Sequence, residues 1–169
     1  MKKLWFIFSV LILSIGLTAC ADKGENKETA GASEDTADSK TDAKKELMKF
    51  YVSITQSINE VDGDLNAYEL SETEPTAEMK TKASESATAV AENLKKIEVP
   101  ANLKDQKADL EAAIKDLQAS YETKAEELKK DAPSLDAANE TFMKADEKIG
   151  SLFESVDLMK SSINAEVNS

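Results

Sequence analysis

Histidine and arginine are absent from this 169-residue sequence, and cysteine occurs once, at position 20. Without histidine there is no Ser-His-Asp or Cys-His relay, and none of the Glu-x-x-His ligation found in di-iron helical proteins. Without arginine, the planar fork that clamps phosphate or carboxylate from two sides is missing. A single cysteine permits neither an intrachain disulfide nor a thiolate metal cluster. The only tryptophan is Trp5, and the prolines number three, Pro75, Pro100 and Pro133. No stretch alternates apolar and polar residues as a half-buried strand would, and no internal repeat suggests a solenoid. An enzyme is not expected; Ser/Lys or paired-carboxylate chemistry is a remote alternative. No cofactor and no metal are implied.

Charge is one-sided. All basic residues are lysine, and the chain carries a net charge of −12. Lys2 and Lys3 fall within the first 19 residues, which hold no acid, so the rest opposes 19 lysines to 33 acids, a net −14. Such a surface is repelled by nucleic acid and by anionic lipid head groups, so no nucleic-acid partner is expected.

The largest apolar run lies at the start. Met1-Lys2-Lys3 is followed by twelve mostly apolar residues, 4–15. That run is too short for a lasting transmembrane helix, which needs roughly 20 apolar residues, and it fits the h-region of an export signal. Leu17-Thr18-Ala19-Cys20 comes next. These four residues resemble the bacterial lipobox: an aliphatic residue, two small ones, then a cysteine. The resemblance implies cleavage before Cys20 and attachment of a diacylglyceryl group to its thiol. Two or more acyl chains anchor stably, at about 0.8 kcal/mol per buried methylene, so an acidic domain need not bind the membrane itself. The expected location is the extracytoplasmic face of a cell membrane, in a cell of the Gram-positive type.

Residues 20–40 then form an expected disordered tether, since no side chain larger than alanine in 21–40 is apolar. A domain is expected over 41–169, with helices about 42–69, 75–98, 101–130 and 134–166. The warrant is a rhythm of apolar residues at steps of three and four. Leu47, Tyr51, Ile54, Ile58, Val61, Leu65 and Tyr68 share one face. Met79, Ala83, Ala87, Val90, Leu94 and Ile97 share another. Leu103, Leu110, Ile114, Leu117, Tyr121, Ala125 and Leu128 make a third stripe. Leu135, Ala138, Phe142, Ala145, Ile149, Leu152, Val156, Met159 and Ile163 make the fourth. Gly63 predicts a bend or a fray rather than a stop, and Ser134 a cap for the last helix. Four amphipathic helices with short connections predict an all-α, antiparallel up-down-up-down four-helix bundle, favoured as a monomer. The domain is similar in composition and layout to small helical-bundle lipoproteins of low-GC Gram-positive bacteria.

Two local features invite a functional reading. Asp62-Gly63-Asp64-Leu65-Asn66 imitates the start of a calcium loop. Ala67 replaces the turn glycine and Thr73 the closing glutamate, so an acidic helical turn is expected there. Met48, Phe50, Val52 and Leu158 fall off the narrow stripes: they suggest an apolar patch for a partner, the alternatives being that Met48 and Phe50 widen the seam and that the others are isolated exposed apolar residues. The expectation for the whole chain is a noncatalytic, lipid-anchored module that binds an unidentified protein. The alternative is a carrier holding a small apolar ligand between its helices.

Overall fold

The computed structural model describes residues 34–168, with side chains from residue 41 onward. The described residues are all-helical: α1 Glu34–Asn59, α2 Gly63–Glu69, α3 Ala77–Leu94, α4 Lys107–Glu127, α5 Asp136–Ser155 and α6 Ile163–Val167, with one 3-10 turn at Ala101–Leu103. The helices pack on one another, α3 on α2 and α4, α4 on α5, and α1 on α3, the 3-10 turn and α6.

The apolar rhythm explains this packing. Leu47, Ile54, Ile58, Leu65, Val90, Leu94, Leu103, Leu110, Leu117 and Ile149 are wholly enclosed in one continuous core. Burying a large aliphatic side chain stabilises by about 1.5–3 kcal/mol, so such a core needs no covalent staple. The buried residues of α3 are mostly small, Ala83, Ser84, Ser86, Ala87 and Ala91 beside Val90 and Leu94, and α4 buries Ala113, Ser120 and Ala125 among its larger residues. The backbones therefore approach closely enough for Ser84 Oγ to donate to the Ala125 carbonyl at 2.8 Å. Lys95 reaches Glu122 at 2.7 Å, so α3 and α4 run in opposite senses. Ser120 Oγ donates to the Ala138 carbonyl at 2.7 Å and Lys148 meets Asp116 at 2.5 Å, giving α4 and α5 the same relation.

Where the elements begin and end departs from expectation in several places, and α3 is shorter than the expected 75–98, at Ala77–Leu94. Helix α1 is already under way at Glu34, so the last seven residues assigned to the tether are helical. No proline or glycine stands between 32 and 62 to stop a helix from growing backward through alanine, glutamate and lysine. Residues 20–33 lie outside the described residues.

The expected continuous helix over 42–69 is interrupted. Helix α1 ends at Asn59 and α2 begins at Gly63; the Glu60 and Asp62 N–H groups still bond the Gln56 and Ile58 carbonyls, and the break falls after them. Ser86 of α3 bridges the gap: its hydroxyl donates to the Val61 carbonyl at 2.6 Å and accepts the Leu65 N–H at 3.3 Å. A side chain from the neighbouring helix thus supplies partners that a broken ladder leaves without one.

Helix α4 starts at Lys107 rather than 101, because the 3-10 turn buries Leu103 first. At α5, Ser134 is not the cap. Leu135 holds that position, and the Ser134 hydroxyl donates to Asp136 Oδ2 at 3.1 Å.

The largest correction concerns 134–166. Helix α5 stops at Ser155, where Asp157 takes a left-handed φ of 56°. The Leu158 N–H bonds the Phe153 carbonyl at 2.9 Å and the Asp157 N–H bonds the Glu154 carbonyl at 3.0 Å. This is a Schellman stop with aspartate where glycine is usual. The chain then turns back along α5 as a C-terminal strap, 158–168. Met159, expected in the core, is 90% exposed on the turn. Ile163 does reach the core, but from α6. The strap passes so close to α5 that a Cβ on Gly150 would lie 3.1 Å from the Ser161 carbonyl and 2.8 Å from Lys160 Cε.

On the polar faces, acids and lysines pair at two spacings. Glu78–Lys82 and Glu140–Lys144 form as four-apart pairs, whereas Lys129 takes Glu126 and Lys130 takes Glu127, each three apart. On a solvated helix face both spacings bring side chains within reach.

Candidate functional site

Each residue singled out in the sequence has a definite place. Leu17, Thr18, Ala19 and Cys20 lie outside the described residues. Met48 and Val52, one turn apart on α1, are about half exposed. Phe50 belongs to the core, at 3% exposure, and Leu158 is partly buried against it. The four do not make one exposed patch: Phe50 points inward because the buried face of α1 is wider than a single stripe, as bundle helices require. Among the described residues, no group of three or more acids, histidines or cysteines is placed to hold a metal ion. The calcium-like segment is used structurally. Asp62 is 4% exposed, and its Oδ2 accepts from Asn66 Nδ2 at 3.0 Å.

A cleft of about 310 Å³ opens where α2, the end of α4, the start of α5 and α6 meet. Its deepest charged group is Lys124, whose side chain is 7% exposed. The ammonium donates to Glu69 Oε1 at 2.6 Å. It also sits 5.5 Å from the Tyr121 ring centre and 5.9 Å from that of Phe142, in cation–π range of both. The two rings meet edge to face, with centres 6.0 Å apart. Burial pushes the Tyr121 phenol well above its ordinary range, and the Asp62 and Glu69 carboxylates add to the shift. Burial likewise raises the Asp62 carboxyl, against the opposing pull of its hydrogen bonds. The α6 wall is tied in by Asn66, which donates to the Val167 carbonyl at 3.1 Å.

No family model, curated protein or solved structure matches this chain.

The chemistry of the site must therefore be read from its own groups. The Lys124 ammonium is matched by Glu69, so the base of the cleft offers no net positive charge. The rim is apolar: Leu70 is 71% exposed and Met143 is 49% exposed, and both border the opening. Asn139, Asn164 and Asn168 complete the walls with amides.

Sequence reasoning missed this cleft. Its signal was present in the positions of the buried charges. Lys124 follows Leu117 by seven residues and precedes Leu128 by four, so it lies on the buried stripe of α4 as an alternative to Ala125. No helix among the described residues is long and apolar enough to cross a membrane.

Proposed function

We propose that this chain is a lipid-anchored, noncatalytic helical module that binds another protein on the extracytoplasmic face of the cell membrane. The observation that carries the anchor is Leu17-Thr18-Ala19-Cys20 placed directly after the apolar run 4–15. A diacylglyceryl group joined to Cys20 through a thioether holds the protein by its ester-linked acyl chains, and the helices work beyond it. In this reading α1 with α2, α3, α4 and α5 are the four rods of an up-down-up-down bundle, with the C-terminal strap laid along it. The opposed senses of α3, α4 and α5 support that topology.

Binding of protein is favoured over carriage of an apolar ligand by what fills the middle. A carrier needs an alanine- and valine-lined interior space. Here Ala83, Ala87, Val90 and Ala113 are wholly enclosed in the packed core. The clefts lined by side chains on the outside are open and of mixed polarity, each about 300–370 Å³.

The test is Cys20→Ser in the native cell. Labelled palmitate is expected to be lost, and the protein to move from the membrane fraction to the soluble one. Unchanged labelling and fractionation would overturn the anchor. Photo-crosslinkers at exposed positions in the intact cell test the partner: protein adducts at one face are expected, and none at any face would count against a binding module.

A further inference from the structure

We propose that the cleft between α2 and α5 is the docking site itself, and that it seats an apolar side chain from a lysine- or arginine-rich segment of the partner protein. This rests on the protein-binding reading and names its surface.

Five large apolar side chains are exposed among the described residues: Met48, Val52, Leu70, Met143 and Met159. Two of them converge on one concave opening: Leu70, the residue that ends α2, and Met143 of α5. Behind them, Tyr121, Phe142 and Leu65 are buried and line the same space. A leucine-sized side chain entering there covers both rim residues at once, which a single apolar residue on a convex face cannot achieve.

Charge decides the rest of the partner. Lys124 is matched by Glu69 at 2.6 Å, so it has no spare attraction for an acidic group. The exposed residues Glu72 and Glu74 lie two and four positions after Leu70, and Asp136 and Glu140 lie within four residues of the cleft-lining Asn139. Glu140 is held by Lys144 at 2.8 Å. The whole chain carries −12, so an approaching acidic segment is repelled and a basic one is steered in. The occupant is therefore an apolar anchor with flanking cations.

The probe is a fluorescein-labelled Lys-Leu-Lys-Leu-Lys peptide, titrated by anisotropy with the full protein purified in neutral detergent. Saturable binding is expected, weakened at least tenfold by Leu70→Ser with Met143→Gln and unchanged by Met48→Gln with Val52→Ser. A Lys-Ser-Lys-Ser-Lys peptide and a Glu-Leu-Glu-Leu-Glu peptide should each bind at least tenfold more weakly. All four substitutions are at exposed positions, and circular dichroism melts confirm that each variant is folded. No saturable binding, equal binding by the first double variant, or equal binding by either control peptide would overturn the proposal. If the loss follows Met48 and Val52 instead, the cleft is not the site, while the broader reading of a protein-binding module survives.

Discussion

Asp146 on α5 accepts the backbone N–H of Ile163 at 2.6 Å, and this contact fastens the C-terminal strap to the helices. The same carboxylate accepts the Asn164 N–H at 3.3 Å and the Ser162 hydroxyl at 3.0 Å. Ser162 in turn caps α6 by accepting the Ala165 N–H, and its carbonyl accepts the Tyr51 hydroxyl at 2.8 Å. Burial pushes that phenol up to about 12, so the tyrosine remains a donor through neutral pH. One carboxylate and one phenol thus join α1, α5 and α6.

Asp146→Ala is expected to destabilise the fold by about 1–3 kcal/mol, because the buried Ile163 N–H loses its acceptor. Asp146→Asn keeps one acceptor oxygen and should cost less. Hydrogen exchange locates the effect: the amides of 163–167 should lose protection before those of α3 and α4. A uniform loss across all helices would mean that the strap is not a separately held unit.

The Lys124–Glu69 pair predicts an asymmetry. Glu69→Leu leaves an ammonium in a site that is 7% exposed and should cost about 2–4 kcal/mol in denaturant unfolding. Lys124→Met keeps the apolar stem and leaves Glu69, at 20% exposure, able to reach water, so it should cost less. The double variant should recover most of the loss. Equal costs for the two single changes would show that burial does not set the penalty.

Asp62 gives the fold a pH dependence of defined sign. Burial raises its carboxyl in the folded state, with Glu69 adding and Asn66 and Lys124 opposing. The folded protein therefore holds this proton more tightly than the unfolded chain. The stability it contributes is present below the ordinary aspartate range and is lost as pH rises through the raised value. Asp62→Asn should raise Tm at pH 7, and the gain should vanish as the pH falls below that range. A gain that persists in acid would place its cause elsewhere.

Asp157 stops α5 in a conformation that disfavours a Cβ. Asp157→Gly should stabilise by about 0.5–1 kcal/mol, and Asp157→Val should destabilise by about 1–2 kcal/mol. Thermal melts of the two variants give the order directly, and the opposite order would contradict the geometry at this turn.

The stripes of three and four steps were legible because burial follows them closely. Every stripe residue except Met159 is buried or half-buried. What escaped the pattern has physical causes. The stop at Asp157 uses aspartate in place of the usual glycine, and the rhythm continues across it by coincidence, through Val156, Met159 and Ile163. The break between α1 and α2 depends on Ser86, a residue more than 20 positions away, which no local pattern reports. Asp146 is buried although charged, and it follows Phe142 by four and precedes Phe153 by seven. Lys124 was hidden in the same way. In both cases a charged residue standing at a stripe position was the available clue to a buried polar contact. Lys124 was the one clue to the cleft that the sequence held; that α2, α4, α5 and α6 meet around it follows from tertiary packing, which no local pattern reports.

The account depends most on the chemistry at position 20. Mass spectrometry of the N-terminal peptide, from protein isolated with the membranes of its native cell, reads it directly. The expected peptide begins at Cys20 and carries a thioether-linked diacylglyceryl group, with residues 1–19 removed. A peptide beginning at Met1, or one with an unmodified Cys20 thiol, would contradict it.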